Sequence, residues 1–324
     1  MCSFQLSSSI SALQAQLADS ARTVSCLPPL QPFPGSCYSA RVGKNKGLPP
    51  LGAGARGVEA FHAYYRGIFG PRWEALAAAL VSPADSLPFR AGEGCEPYFM
   101  DSASILAASS LELAPGGRVL DACAAPGGKT LVLASRLGPG SGLVANELSA
   151  DRRRRLAAVL DRHLPPEARR RVEVLGRDAA AMCRSFEAAF DAVLLDAPCS
   201  SERHVLGQAL AHQRAHEGAR EAALEAWSPA RVRSLALRQW SLLSSALIML
   251  KAGGSLVYST CALSPEENDR VVARAVARYG KALSFDWPDY RGPGEAEKTE
   301  YGLMILPDRT GGAGPIYLCR VRKA

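Results

Sequence analysis

The sequence predicts an α/β protein, a doubly wound and mostly parallel sheet preceded by a small helical subdomain. Short apolar strands without polar alternation recur from position 118 onward, as expected of strands buried on both faces. Helical stretches separate them, so successive strands are joined by crossovers and lie parallel. A glycine turn, Asp121-Ala122-Cys123-Ala124-Ala125-Pro126-Gly127-Gly128-Lys129-Thr130, follows the first strand and opens the next helix. Sheets of this kind hold ligands at that edge.

Taken in order, residues 1–57 carry nine serines before position 40 and one acidic residue, Asp19. Such a stretch can bury little and is expected to be a disordered extension with a short helix around Ile10–Leu17. Its Ser-rich, acid-poor make-up also fits an organellar transit peptide, although the first arginine is Arg22. A cytoplasmic protein is the favoured reading and a mitochondrial one the alternative. From Val58 to Val81, Phe61, Tyr65, Phe69, Trp73, Leu76 and Leu80 recur at helical spacing, with Gly70-Pro71 as a break. This predicts a helix pair whose aromatics are core, inside a helical subdomain over 58–104.

Residues 105–324 then form the main domain. Strands are expected at Arg118–Ala122, Leu143–Glu147, Val172–Leu175, Ala192–Pro198 and Gly254–Thr260. Helices are expected at Ser102–Leu113, Lys129–Leu137, Ala150–His163 and Pro229–Leu250. The polar segment Glu202–Trp227 interrupts the alternation after the fourth strand and would lie over the ligand edge as a substrate-facing lid. An irregular stretch, Trp287–Glu300, leads to a terminal hairpin pairing Leu303–Leu306 with Pro315–Val321.

Composition sets bounds on function. The 324 residues are 48% hydrophobic and 21% charged, an ordinary globular balance. No apolar run approaches the ~20 residues of a membrane span. The net charge of +7 favours a polyanionic partner. The chain holds only seven lysines, and Lys129 is the sole one between Lys46 and Lys251, which singles out the turn. Nine cysteines with no Cys-x-x-Cys pair indicate free thiols in a reducing compartment. The five histidines show no metal spacing; His212 and His216 sit beside Arg214 and Glu217, as on a solvated face. No metal is expected.

In the turn, Gly127 and Gly128 allow a close backbone approach, and the helix-start amides favour an anionic or carboxylate group. It is neither a phosphate loop nor a dinucleotide turn, since Cys123 stands where the first glycine of a phosphate loop would be. Glu147 ends the second strand, where a carboxylate accepts ribose hydroxyls. Asp178 follows the third and would meet the adenine edge. Together they fit an adenosine cofactor without a pyrophosphate, of which S-adenosylmethionine is the obvious one. Two thiols then close buried strands, Cys199 in Asp196-Ala197-Pro198-Cys199 and Cys261 in Tyr258-Ser259-Thr260-Cys261.

From about Phe61 to its end the chain resembles the Nop/Sun (RsmB-like) family of RNA cytosine-C5 methyltransferases. The shared landmarks are Tyr98-Phe99-Met100-Asp101, Asp121–Thr130, Glu147-Leu148-Ser149 with Arg152, Asp196-Ala197-Pro198-Cys199-Ser200, and Ser259-Thr260-Cys261 followed by Glu267-Asn268. Phe61-His62-Ala63-Tyr64-Tyr65 and the run Asp196–His204 resemble the short subgroup that includes mitochondrial rRNA and tRNA enzymes. The resemblance implies a Rossmann-like class I methyltransferase fold and S-adenosylmethionine held by Cys123, Ala124, Ala125, Pro126, Gly127, Gly128, Lys129, Glu147, Arg152, Asp178 and Asp196. It implies Cys261 as nucleophile and Cys199 in product release. DNA cytosine methyltransferases use the Pro-Cys thiol and lack the other, so both together imply RNA. Two departures are Glu147, where the family more often has Asp, and an N-terminal stretch without a recognisable RNA-binding module.

The chemistry agrees with the resemblance. Cytosine C5 is a poor nucleophile until a thiolate adds at C6. A free cysteine of pKa ~8.5 is mostly protonated at neutral pH and must be activated. Asp196, raised by burial, would donate to N3, and Lys129 would stabilise charge on the base carbonyl. Cys123, Cys183 and Cys319 read as packing, with Cys123 brushing the cofactor. Arg152–Arg155 and Arg169–Arg171 form either solvated faces or a phosphate-contacting patch. The expected partner is structured RNA, rRNA ahead of tRNA, bound by a monomer that could need ribosomal context or an accessory protein. The rivals are an inactive RNA-binding or assembly factor that keeps the fold, and an enzyme methylating protein or small molecules.

Overall fold

The computed structural model describes residues 56–215, 224 and 227–324, with side chains left undescribed over 210–215. The expected extension, short helix and targeting alternative, up to position 55, therefore lie outside the described residues, as does the far end of the polar insertion.

Helix α1 (Gly57–Phe69) buries Ala60, Phe61, Tyr64 and Tyr65 along one stripe. It stops because Gly70 takes φ +62°, a left-handed conformation that glycine adopts without a Cβ penalty. A single 3₁₀ turn, Gly70–Arg72, then redirects the chain into α2 (Trp73–Val81), which buries Trp73, Leu76 and Leu80. Tyr65 stacks on Trp73 at 5.1 Å between ring centroids, and Phe61 meets Trp227 edge-on at 5.1 Å. These aromatics share one apolar cluster with Leu120, Val193 and Leu256 of the sheet, so both helices pack on the main core. A fully buried ring of this size is worth ~3–5 kcal/mol on truncation to alanine. The expected helical subdomain is helical only in its first half. Its second half is a short hairpin, β1 (Leu87–Phe89) against β2 (Tyr98–Met100).

The rest alternates as expected. In order come α3 (Ser102–Ser109), β3 (Arg118–Asp121), α4 (Gly128–Ser135), β4 (Gly142–Asn146), α5 (Ala150–His163), α6 (Pro166–Arg169) and β5 (Val172–Leu175). Then follow β6 (Phe190–Asp196), α7 (Glu202–Ala215), α8 (Pro229–Met249), β7 (Leu250–Thr260) and α9 (Asp269–Tyr279). The end of the chain holds β8 (Leu283–Asp286), β9 (Glu297–Lys298), β10 (Leu303–Ile305) and β11 (Ile316–Lys323). Three details differ from expectation. The fourth and fifth predicted strands begin about two to four residues earlier, at Phe190 and Leu250. The first helix ends at Ser109. The stretch expected to be irregular contributes β9, which pairs with β10.

Strand order is β5-β4-β3-β6-β7-β11-β10-β9, with β8 also on β11. The five central strands are parallel, and β11 joins β7 antiparallel as the return of the terminal hairpin. Chain direction across the sheet reverses at β3, with β4 and β5 on one side and β6 and β7 on the other. Ligands in such sheets sit at that switch point. The register pairs Asp121 with Leu194 and Asp196 with Ser259, so every strand-end group named above lies on one edge.

Candidate active site

The turn between β3 and α4 forms the floor of a cavity of about 130 Å³ whose lining includes Asp121, residues Cys123 to Lys129, and Tyr98. Gly127 has φ +124°, and a Cβ there would stand 2.9 Å from Val159 Cγ1. A Cβ on Gly128 would stand 2.9 Å from the Tyr98 ring. Both glycines are required by space, one of them also by conformation. Cys123 lines the cavity, and burial pushes its thiol well above the ordinary range, so it offers packing and no nucleophile.

Asp121 is buried and carries an informative defect. Its Oδ2 accepts from Thr130 Oγ1 at 2.7 Å, while Oδ1 has no well-formed hydrogen bond among the described residues. Burial, partly offset by the Thr130 hydroxyl, pushes this carboxyl up to about 7. A buried acceptor at the cofactor cavity without a donor fits the ammonium of an amino-acid moiety. The donor set thus suits S-adenosylmethionine, which carries such a group.

Lys129 projects from the first turn of α4 and pairs with Asp196 at 2.9 Å. Burial works against the ammonium, but the Asp196 carboxylate holds it above the usual lysine range. Asp196 also accepts from Ser259 Oγ at 2.8 Å. With its oxygens taken by an ammonium and a hydroxyl, Asp196 is not arranged as the expected donor acid; a proton for the base would come from Lys129. The pair sits on a boundary. Ser104, Lys129 and Asp196 line the cofactor cavity and also a larger one of about 620 Å³, walled by Asp101, Ser201, Arg203, Cys261 and Pro315 among others.

The two thiols meet at this second cavity. Cys199 Sγ and Cys261 Sγ are 3.0 Å apart, and Ser201 Oγ lies 3.2 Å from Cys261 and 3.4 Å from Cys199. Cys261 lines the cavity and Cys199 does not. Hydrogen bonding from Cys199 and then Ser201, against the opposing effect of burial, holds the Cys261 thiol below its usual range. The same contact, with burial, pushes Cys199 up. The contact therefore favours ionisation of Cys261 over that of Cys199. Such a sulfur, beside a cavity that adjoins a methyl-donor cavity, can add to an electrophilic ring carbon.

The remaining expected cofactor residues divide. Glu147, buried at the end of β4, accepts from Ser149 N at 2.9 Å and lies 3.4 Å from the Arg152 guanidinium, which also donates to Ala125 O at 2.9 Å. Arg152 thus ties Glu147 to the glycine turn. Asp178 is ion-paired with Arg238 of α8, which holds it below the ordinary carboxylate range, and does not line either cavity. The arginine patch is largely committed elsewhere. Arg153 donates to Glu147 O, Arg154 pairs with Asp151, Arg169 with Asp161, and Arg171 donates to Leu137 O and Gly138 O.

Several residues escaped the sequence reading. Ser201 has φ +55°, a conformation uncommon outside glycine, which turns its hydroxyl between the two sulfurs. Asp101 caps α3 by accepting from Ala103 N and also accepts from Gly314 N. Arg203 donates to the carbonyls of Gly312 and Gly314. Together they hold the 312–315 loop as one wall of the larger cavity. The insertion supplies the opposite wall through His204, Gly207 and Gln208 of α7. The motif Tyr98-Phe99-Met100-Asp101 was the available signal for Asp101. A serine gives none for a positive φ.

Comparison with known proteins supplies a frame. A family model described as 16S rRNA methyltransferase RsmB/F matches residues 108–321. The chain is 34% identical over 69% of its length to 5-cytosine rRNA methyltransferase NSUN4 of Bos taurus, covering 59% of that protein. It is 28% identical over 82% of its length to the mitochondrial tRNA (cytosine(34)-C(5))-methyltransferase of Mus musculus, covering 76% of it. Ribosomal RNA small subunit methyltransferase F of Klebsiella pneumoniae is 35% identical over 70% of this chain and 45% of its own length. Among solved structures, PH0851 superposes with a TM-score of 0.64 at 21% identity, over 82% of this chain and 66% of that one. That likeness supports the fold.

Proposed function

The chain belongs to the RsmB/F family, and from that premise we propose that it transfers the methyl group of S-adenosylmethionine to C5 of a cytosine in structured RNA. The observation that carries this reading is the thiol pair, with its sulfurs 3.0 Å apart and Cys261 alone of the two on a cavity that meets the cofactor cavity at Lys129 and Asp196. The glycine turn, Asp121 and Glu147 would hold S-adenosylmethionine, with Asp121 for its ammonium and Glu147 for its ribose, and the cofactor would supply an electrophilic methyl on a sulfonium.

The protein's own groups do the rest. Cys261 adds as thiolate to C6, forming a C–S bond and leaving C5 electron-rich. Lys129 Nζ donates to the base as charge develops on its carbonyl and N3, and Asp196 keeps the ammonium aimed. Once C5 is methylated, its proton passes to a water that Cys199 positions, since the Cys199 thiol already carries a proton. The C–S bond then breaks and Cys261 leaves as thiolate.

The names of the relatives favour rRNA as the substrate, with tRNA as the alternative. We propose a monomer that draws on ribosomal context or an accessory protein for affinity; the aligned region spans 59% of the bovine relative's length. The mitochondrial name of the murine relative favours the targeting alternative for the N-terminal extension. Incubation with tritiated S-adenosylmethionine and separate small-subunit rRNA and tRNA pools, followed by bisulfite sequencing, tests the reading. Label and protected cytosines are expected in one pool. Tight RNA binding with no transfer to either would favour the inactive assembly factor.

A further inference from the structure

Behind the two thiols lies a buried polar network that the reaction above does not use. Glu202 and Glu267 are both 0% exposed, and neither is ion-paired among the described residues. Ser200 Oγ is hydrogen-bonded to Oε1 of each. The remaining oxygens are acceptors. Glu267 Oε2 accepts from Ser200 N at 3.0 Å and Gln239 Nε2 at 2.8 Å. Glu202 Oε2 accepts from Leu263 N at 3.0 Å, and Glu202 Oε1 accepts from Tyr65 OH, whose own oxygen accepts from Trp227 Nε1 at 3.3 Å.

Counting hydrogens decides the protonation. A serine hydroxyl has one proton and can donate to only one carboxylate. Its contact with the second requires that carboxyl to carry a proton and donate it. Apart from that hydroxyl each carboxyl accepts from two donors, so the chain runs from the carboxyl that holds the proton, through Ser200 Oγ–H, to the other. We propose that Glu202 and Glu267 share one proton across Ser200, and that this pair is the positioning device that holds the Pro-Cys and Thr-Cys turns at thiol-contact distance.

The attachments span both turns. Ser200 follows Cys199 directly, Gln239 Nε2 also donates to Pro198 O at 2.9 Å, and Leu263 lies two residues beyond Cys261. Burial, and next the charge of Glu202, push Glu267 up to about 8; burial raises Glu202 as well. Carboxyls raised in this way contribute their stability at lower pH, and that of Glu267 is lost as pH rises through about 8. Above that point two anions face one hydroxyl. The other groups facing the pair are Tyr64, Tyr65 and Tyr258, all raised by burial, the two cysteines, and Glu266, itself paired with Arg270. The charge of Glu202 works against the Cys261 thiolate and that of Glu267 against a Cys199 thiolate. Double ionisation also sets two anions against the one hydroxyl that links the two turns, so it should loosen the contact between the thiols and slow Cys261.

The consequence for catalysis rests on the two-thiol reading, so the test uses the full chain without RNA. Infrared difference spectra of wild type minus Glu267→Gln should show a protonated-carboxyl carbonyl band near neutral pH, lost in wild type above about pH 8. Iodoacetamide labelling of Cys261, followed by mass spectrometry across pH, should show an alkaline break in wild type. Either Glu267→Gln or Glu202→Gln should remove it, because a pair with one acid cannot ionise twice. Should one variant fold poorly, the other and the wild-type titration still decide. No carboxyl difference band, or a break that persists in both variants, would overturn the proposal. A band without any break would overturn its positioning role. Absence of RNA methylation would leave these readouts intact and count against the proposed function instead.

Discussion

Replacing Cys199 with alanine separates the two thiols and has a magnitude set by the geometry. Cys261 Sγ lies within hydrogen-bond distance of Cys199 Sγ at 3.0 Å and Ser201 Oγ at 3.2 Å, and the Cys199 contact is the main reason its thiol lies below the usual range. The variant keeps only Ser201. A hydrogen bond to a charged group is worth ~1.5–3 kcal/mol, so the Cys261 thiolate population near neutral pH should fall ~10- to 100-fold. Attack then slows without stopping, because Cys261 still lines the cavity. The later step suffers differently, since the group that assists removal of the C5 proton is gone. Cys199→Ala should therefore label slowly with iodoacetamide at Cys261, yet accumulate a covalent protein–RNA adduct on a denaturing gel when given substrate and S-adenosylmethionine. Cys199→Ala/Cys261→Ala should give no adduct. Unchanged labelling of Cys261 would refute that role for the Cys199 contact. An adduct from Cys261→Ala but not from Cys199→Ala would make Cys199 the nucleophile.

Cys261→Ala should abolish methyl transfer and leave S-adenosylmethionine binding nearly intact by calorimetry; transfer near the wild-type rate would remove the assignment. Glu147→Ala deletes the ribose acceptor and frees Arg152 from it, so cofactor affinity should weaken ~10- to 100-fold, and an unchanged Kd would move the ribose site elsewhere. Asp121, pushed up to about 7 by burial, contributes stability to the cofactor-free chain that is present at low pH and lost as pH rises through about 7. A cationic ligand favours its charged form, so S-adenosylmethionine should raise Tm more at pH 8 than at pH 6. Asp121→Asn should flatten that difference, and a pH-independent Tm rise in wild type would place the ammonium away from Asp121.

What the sequence disclosed, and what it hid, follows from the range of the interactions. Parallel strands buried on both faces leave uninterrupted apolar runs such as Val193-Leu194-Leu195, all 0% exposed, and the strand-end chemistry follows directly from finding them. The β1–β2 hairpin has strands of three residues, one containing Pro88, and β9 has only two, too short for any period to register. Within the site, the glycine turn and both cysteines were legible because each is a local pattern. The ion pair of Asp178 could not be foreseen, because its partner, Arg238, comes from a helix 60 residues away. Glu202 was read as the start of a solvated insertion, yet it is buried by Tyr65 and Ser200, the first of them 137 residues distant. Burial of a charged residue by remote partners leaves no local trace.

The arrangement of donors explains why a second thiol suits this site better than a cation. A thiolate loses nucleophilicity as its pKa falls and attacks best when that value lies near ambient pH. A lysine or arginine beside Cys261 would overshoot. The one lysine at hand, Lys129, is instead neutralised by Asp196 at 2.9 Å. A thiol and a serine hydroxyl are weaker donors and bring no net charge. In the proposed mechanism they would also serve both directions of the covalent step, because contacts that favour the Cys261 thiolate before attack would receive it again on departure from C6. A positioning pair behind them that carries one negative charge, not two, keeps that balance. Moving either turn by an ångström would alter attack and release together.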